Sequence, residues 1–214
     1  MNTAYDTAVA RQAAAVLLSY PDQRQEASLE LVARAVGELG DSAAAAGLGR
    51  AVDFVRGTAR LELAAQYVDT FDRARRRTLH MTYYTDGDTR RRGHGLAEIK
   101  RVYAAAGWRG DREELPDHLC LLLEFAARAD AVQGQRLLLQ FQPGIELLRS
   151  GLHDHGCGWA AVLDAVAATL PPPDVAARAE ALRIARQPPP AENVGLQGYG
   201  TVALGMPSVG SEGR

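Results

Sequence analysis

The sequence predicts an all-α fold, and three observations lead there. Apolar residues recur at three- and four-residue steps along most of the 214 positions, the spacing of one helix face. Alternating Val/Ile/Thr runs joined by Asn-Gly or Asp-Gly turns, which would mark hairpins, do not occur. Glycines and prolines punctuate the chain at helix-length intervals. The expected architecture is a single bundle of about eight or nine helices over residues 1–186, followed by a Pro/Gly-rich, disordered tail over 187–214.

The first stripe holds Val9, Ala13, Val16, Leu17 and Tyr20, and Pro21-Asp22 stops it. Leu29, Val32, Val36 and Leu39 form a second helix that ends near Gly40. Leu48, Val52 and Val55 make a third, and Ala64, Tyr67, Val68 and Phe71 a fourth, with Gly57 as the joint. A polar, basic interval runs from Arg73 to Gly95. Leu96, Ile99, Tyr103 and Ala106 resume the pattern, and Gly107 occupies the place a helix C-cap favours. Pro116 is expected to open the most apolar helix, with Leu119, Leu122, Leu123, Phe125 and Ala126; apolar around most of its circumference, it belongs at the centre of the bundle. Leu137, Leu138 and Phe141, then Ile145, Leu148 and Leu152, then Trp159, Val162, Leu163, Val166 and Leu170 supply three more stripes. Pro171-Pro172-Pro173 breaks the chain, and Asp174 is placed to cap a last short helix through Val175, Ala179 and Leu182.

Composition narrows the function. With 24 Lys and Arg against 26 Asp and Glu, the net charge of -2 argues against a generally basic nucleic-acid binder. Two cysteines, Cys120 and Cys157, are too few for a disulfide scaffold or a four-thiolate zinc site, and a reducing cytoplasm fits them. No signal peptide is legible at the N-terminus. The longest uncharged run, Asn193 to Ser211, is interrupted by five glycines and a proline, so no stable membrane insertion is expected.

Four local features invite a chemical reading. His153-Asp154-His155-Gly156-Cys157 gathers zinc-type ligands but needs a fourth from elsewhere, and the alternative is a solvated loop. Nine of the basic residues fall between Arg73 and Arg101, where they could grip phosphate or nucleic acid; Asp69, Asp72, Asp86 and Asp88 lie close by to neutralise them. Neither cysteine has a nucleophile's surroundings, and Gly-x-Ser-x-Gly elbows, phosphate loops and dinucleotide fingerprints are missing, so no catalytic residue and no cofactor is assigned. Asp117 and His118, directly after Pro116, read either as an acid/base pair or as N-terminal caps of a buried helix, where the dipole stabilises carboxylate and disfavours imidazolium.

One string of segments adds to this reading: Tyr67-Val68-Asp69-Thr70-Phe71-Asp72, Leu79-His80-Met81, Asp88-Thr89-Arg90-Arg91-Arg92-Gly93, Glu114-Leu115-Pro116-Asp117-His118-Leu119 and Leu123-Glu124-Phe125. Together they resemble the NarJ-type nitrate reductase assembly chaperones, within the wider all-helical family of molybdoenzyme maturation factors. The resemblance spans roughly residues 5 to 185, and the Glu-Leu-Pro-Asp-His-Leu string is its most specific part. Tyr83-Tyr84-Thr85 and His94 depart from the pattern of many relatives.

The resemblance implies a cytoplasmic protein without catalytic activity. Such a protein binds the N-terminal segment of the nitrate reductase catalytic (α) subunit, holds the apoenzyme competent for molybdenum cofactor insertion, and delays its membrane docking. The client groove is then formed by Tyr67 and Phe71, by Gly93 and Gly95, and by Pro116, Asp117, His118 and Leu119, with Leu123 and Glu124 following. An apolar wall of Tyr67, Phe71, Leu119 and Leu123 would grip the client, while Asp69, Asp72, Asp117 and Glu124 attract its cations. Cofactor-delivery proteins are further candidate partners, nucleic acid is not, and the chain is a monomer or a homodimer. The competing reading is a helical phosphate or nucleic-acid binding module using the arginine patch at residues 73–101.

Overall fold

The stripes fold as helices. A computed structural model, which describes residues 3–87, 89–110 and 114–186, has eleven α-helices among those residues: α1 (Thr3–Leu17), α2 (Gln23–Gly37), α3 (Ala43–Gly57), α4 (Arg60–Tyr67), α5 (Thr82–Asp86), α6 (Arg90–Ala105), α7 (Leu119–Arg128), α8 (Ala131–Gln140), α9 (Gln142–His155), α10 (Ala160–Ala168) and α11 (Val175–Arg186). The excess over eight or nine comes chiefly from α5, a five-residue helix inside the polar interval, where no stripe announces it. The expected tail, 187–214, lies outside the described residues.

Helix starts follow side-chain chemistry. Asp22 accepts from Arg24 N and Gln25 N at the head of α2, Ser42 from Ala45 N at α3, and Asp130 from Val132 N and Gln133 N at α8. Asp174 accepts from Ala177 N at 2.7 Å, the cap expected for α11. Each such cap stabilises its helix by about 1 kcal/mol. At the other end of α9, Gly156 takes φ 72°, a left-handed C-cap for which glycine carries no Cβ penalty.

The bundle is organised by two close helix pairs, α1 with α7 and α3 with α10. Helix α2 packs on α1 and α3, α8 on α7, and α9 lies between α10 and α11. Leu122, Leu123 and Phe125 of α7 are wholly buried, as its all-round apolarity predicts, together with Leu17, Leu18, Leu48 and Trp159. Gly134 lets α8 approach α7: a Cβ there would sit 2.3 Å from Ala126 Cα. Trp159 is ringed by Phe54, Tyr67 and Phe71 at centroid distances of 5.1 to 5.6 Å. Its Nε1 donates to Leu17 O (3.2 Å) and Tyr67 Oη donates to Leu18 O (3.1 Å), which satisfies two carbonyls where α1 ends. Tyr20, expected on the α1 stripe, lies beyond the helix and is 49% exposed. In α11 Val175 and Leu182 face outward and Ile184 is the buried residue.

The interval from Arg73 to Gly95 is less polar in space than in sequence. Leu79, Met81, Thr82 and Tyr84 are buried, because the segment runs antiparallel past the start of α7. Met81 N donates to Asp117 O (3.1 Å) and Leu119 N to Leu79 O (2.8 Å). Pro116 therefore does not open α7; it stands in the turn before Leu119. No described helix is long and apolar enough to cross a membrane.

Candidate functional site

Asp117 is fully buried and fastens three segments. One carboxylate oxygen accepts from Thr82 N (3.1 Å) and Thr82 Oγ1, and the other faces His80 Nδ1 at 3.3 Å. Arg92 of α6 approaches to 3.8 Å and donates from its Nε to Thr82 Oγ1 (3.2 Å). Burial pushes the carboxyl's pKa up, but the hydrogen bonds from His80 and Thr82 and the charges of His80 and Arg92 outweigh it and hold the group below its ordinary value. The capping alternative is thus corrected. Asp117 precedes the helix by two residues, and the N-cap position, His118, makes no side-chain cap bond.

His118 stacks edge to face with His80 at a centroid distance of 5.2 Å. Burial, with the charge of His80, pulls its pKa down to about 4 against the opposing attraction of Asp117. The ring is therefore neutral near pH 7, and its Nδ1 has no hydrogen-bond partner among the described residues. Asp117 spends its hydrogen bonds on His80 and Thr82, and none joins it to His118 among the described residues, so the two do not form the acid/base pair that the sequence offered.

His118 instead borders an open cleft of about 770 Å³, between the C-terminal half of α1, the head of α2, Tyr67 and the start of α7. Ala15, Val16, Tyr20, Tyr67 and Leu121 give it apolar surface; Asp72, Glu114 and Glu124 give it acidic edges, against which Arg24, at the head of α2, sets one positive charge. Glu124 is paired with Arg128 at 2.7 Å. Asp72 and Glu114 have no ion-pair partner among the described residues, and both charges help burial raise the pKa of Tyr67. Asp72 reaches the cleft through a single π-helical turn, Val68–Asp72, closed by Arg73 N donating to Val68 O (3.0 Å). That wider turn sends Phe71 into the core and the next side chain outward. Such a cleft can hold a cation beside aromatic and aliphatic surface.

The residues assigned by resemblance divide accordingly. Tyr67, His118 and Glu124 line the cleft. Phe71, Leu119 and Leu123 are sealed in the core, so most of the expected apolar wall is packing, and Asp117 is sealed beneath the cleft. Pro116 borders a separate hollow with Tyr103 and Trp108. Gly93 is exposed on α6, and Gly95 turns toward Asp86 and Thr82; neither lines the cleft. Of the four expected acidic lips, Asp72 and Glu124 hold that place, whereas Asp69 pairs loosely with Arg73 outside it. Sequence reasoning missed Gln12, Tyr20, His80, Glu114 and Cys120 as lining residues. Tyr20-Pro21-Asp22 after an amphipathic helix was the available signal for a side chain leaving its stripe.

Two other sequence features resolve differently. The arginine patch is spread over ion pairs and carbonyl contacts: Arg91 with Asp86, Arg92 with Asp117, Arg101 with Glu98, and Arg77 Nε donating to Thr70 O. His153 Nε2 lies 2.8 Å from Asp164 and Cys157 Sγ turns toward Leu152 O, so the ligands of that loop diverge. Among the described residues no group of three or more His, Cys, Asp or Glu is placed to hold a metal.

Residues 38–165 match the family described as nitrate reductase delta subunit. The chain belongs to that family. It is 39% identical over 158 residues to the nitrate reductase-like protein NarX of Mycobacterium tuberculosis, a match covering 74% of this chain and 24% of that protein. The chain thus spans about a quarter of the length of these curated relatives. It is 30% identical over 170 residues to a Bacillus subtilis protein named "Probable nitrate reductase molybdenum cofactor assembly chaperone NarJ", covering 79% of this chain and 92% of that one. In fold it is similar to the structure named "Crystal Structure Of A Putative Redox Enzyme Maturation Protein From Archaeoglobus Fulgidus", with a TM-score of 0.55, 17% identity, and 74% and 90% of the two chains covered. The delta-subunit family's stretch contains the clamp and one wall of the cleft, with Tyr67, Asp72, His118 and Glu124, but begins after the α1 and α2 surfaces that form the other.

Proposed function

We propose that this chain is a nitrate reductase assembly chaperone whose α1/α2/α7 cleft receives the N-terminal segment of the catalytic α subunit. It acts in the cytoplasm without catalytic activity, keeps the apoenzyme competent for molybdenum cofactor insertion, and delays membrane docking. The observation that carries this reading is the meeting of Tyr67, His118 and Glu124 at one open cleft with Asp72 and Glu114, which have no ion-pair partner among the described residues. Membership in the delta-subunit family and the chaperone name of the Bacillus relative support it.

The mechanism is differential binding of an unfinished client. A segment with one or two cationic groups and an apolar face would place its charges on Asp72 and Glu114 and its apolar side chains on Val16 and Tyr20, over the edges of the largely buried Tyr67 and Leu121. Covering about 500 Å² of apolar client surface gives on the order of 12 kcal/mol gross at about 25 cal/mol/Å². Ordering the segment and lost tumbling remove most of that, leaving micromolar affinity or somewhat tighter. Release then needs only modest competition from the folding client.

Isothermal titration of the full chain with a synthetic peptide of the α-subunit N-terminus tests this directly. Saturable binding that fades when the peptide's Lys and Arg are replaced by Gln is expected. No saturation by about 1 mM, or binding indifferent to those charges, refutes it. Residues 1–186 carry the binding in this proposal, so removing 187–214 leaves the affinity unchanged.

A further inference from the structure

Helix α1 presents a second surface, away from the acidic cleft. Its N-terminal half, α8 and Ala126 of α7 border a groove of about 550 Å³. Two lining residues are arginines, Arg11 and Arg136, and none is acidic. Arg11 is only 3% exposed. Its Nε donates to Thr169 Oγ1 (3.3 Å), and its Nη2 donates to Thr169 O (3.1 Å) and to Gln135 Oε1. Every one of those acceptors is neutral. Nη1 has no hydrogen bond, and no carboxylate lies within ion-pair distance of Arg11 or Arg136 among the described residues. Two acids adjoin the groove in sequence without lining it: Asp130, which caps α8, and Asp6, in the first turn of α1.

A guanidinium removed from water ordinarily has a carboxylate for company, because its desolvation is otherwise uncompensated. Thr169 O, the negative end of α10, offsets part of the cost. Beside this cationic corner lies an apolar shelf of Ala8, Ala131 and Val132, the last 64% exposed. Small side chains and an exposed rim suit a segment laid across the surface. We propose that this groove docks an acidic segment of a protein partner, with a carboxylate facing Arg11 and Arg136 and an apolar neighbour on the Ala8, Ala131 and Val132 shelf.

The charge is opposite to that of the α1/α2/α7 cleft, so the two surfaces of α1 would sort a cationic from an acidic segment. The inference does not rest on the chaperone reading. The probe is a fluorescein-labelled, N-acetylated and amidated peptide alternating glutamate and leucine, compared with its glutamine counterpart by anisotropy on the full chain. Binding of the acidic peptide that weakens with salt, exceeds that of the glutamine peptide by about tenfold or more, and drops by a similar factor in Arg136→Glu is expected. Arg136 is exposed, so the variant folds; Val132→Glu, on the exposed rim, is the independent second variant and should weaken binding as well. Asp72→Asn, in the other cleft, leaves the acidic peptide's affinity unchanged. Equal affinity for the two peptides, no detectable binding, or indifference to both Arg136→Glu and Val132→Glu overturns the proposal.

Discussion

His118 makes the folded protein sensitive to mild acid, and the size of the effect follows from its surroundings. Its pKa falls from 6.5 to about 4 because burial disfavours the imidazolium and the charge of the neighbouring His80 adds to the effect. The sign is as follows: an unfolded chain takes up a proton on this ring as the pH drops below about 6.5, whereas the folded one resists until about 4. Stability is therefore lost across that window. At about pH 4.5 the difference in proton uptake amounts to roughly 2.5 kcal/mol, a large part of the ordinary stability of a domain. Urea unfolding followed by tryptophan fluorescence, which reports the wholly buried Trp159, measures it at about pH 7.5 and about pH 4.5. Wild type should lose roughly 2.5 kcal/mol more between the two than His118→Gln, equivalent to a melting-temperature difference of about 5–10 °C. Asp117 opposes the effect by attracting the imidazolium. Equal losses in the two proteins would mean that the ring finds water or a carboxylate once protonated, and the argument from burial would fail.

Asp117→Ala strands Thr82 N and Oγ1 and removes the buried anion facing Arg92; a loss of about 3–5 kcal/mol in denaturant unfolding is expected, and less than about 1 kcal/mol would show the clamp to be replaceable. The Asp117 pKa is depressed, so its contribution is present above its ordinary value of 3.8 and is lost as pH falls below that toward the folded value, beneath the His118 window. Gly134→Ala places a methyl group 2.3 Å from Ala126 Cα, and despite alanine's better helix propensity it should destabilise by about 1–3 kcal/mol in the same assay. Asp72→Asn with Glu114→Gln leaves stability nearly unchanged, both residues being exposed, and should weaken a cationic client peptide by about tenfold in titration calorimetry.

The helices were legible because their burial is periodic. The stripe of Leu48, Val52 and Val55 names the face α3 buries, and the near-continuous apolarity of Leu119 to Ala126 places α7 at the centre. That second observation conflicts with reading Leu119 and Leu123 as groove lining, and the apolarity was the better guide: a residue apolar on all neighbouring turns is surrounded. What escaped the sequence is what depends on distant partners. Thr82 and His80 lie 35 and 37 residues before Asp117, and a pairing made by two backbone hydrogen bonds leaves no period to detect. The same pairing hides Leu79, Met81 and Tyr84 inside an interval that reads as basic and polar.

Clamp and cleft are one construction. The antiparallel contact between 79–82 and 117–119 brings His80 and His118 side by side on the cleft wall, and the carboxylate below them fixes both backbones at once. On the opposite wall Tyr67 is pinned by its hydrogen bond to Leu18 O, and the π-helical turn after it aims Asp72 outward. A client segment would thus meet prearranged backbone and aromatic surface, and little of its binding energy would go into ordering those parts of the receptor. The ordering cost falls on the client, which suits a partner that must be let go once it folds.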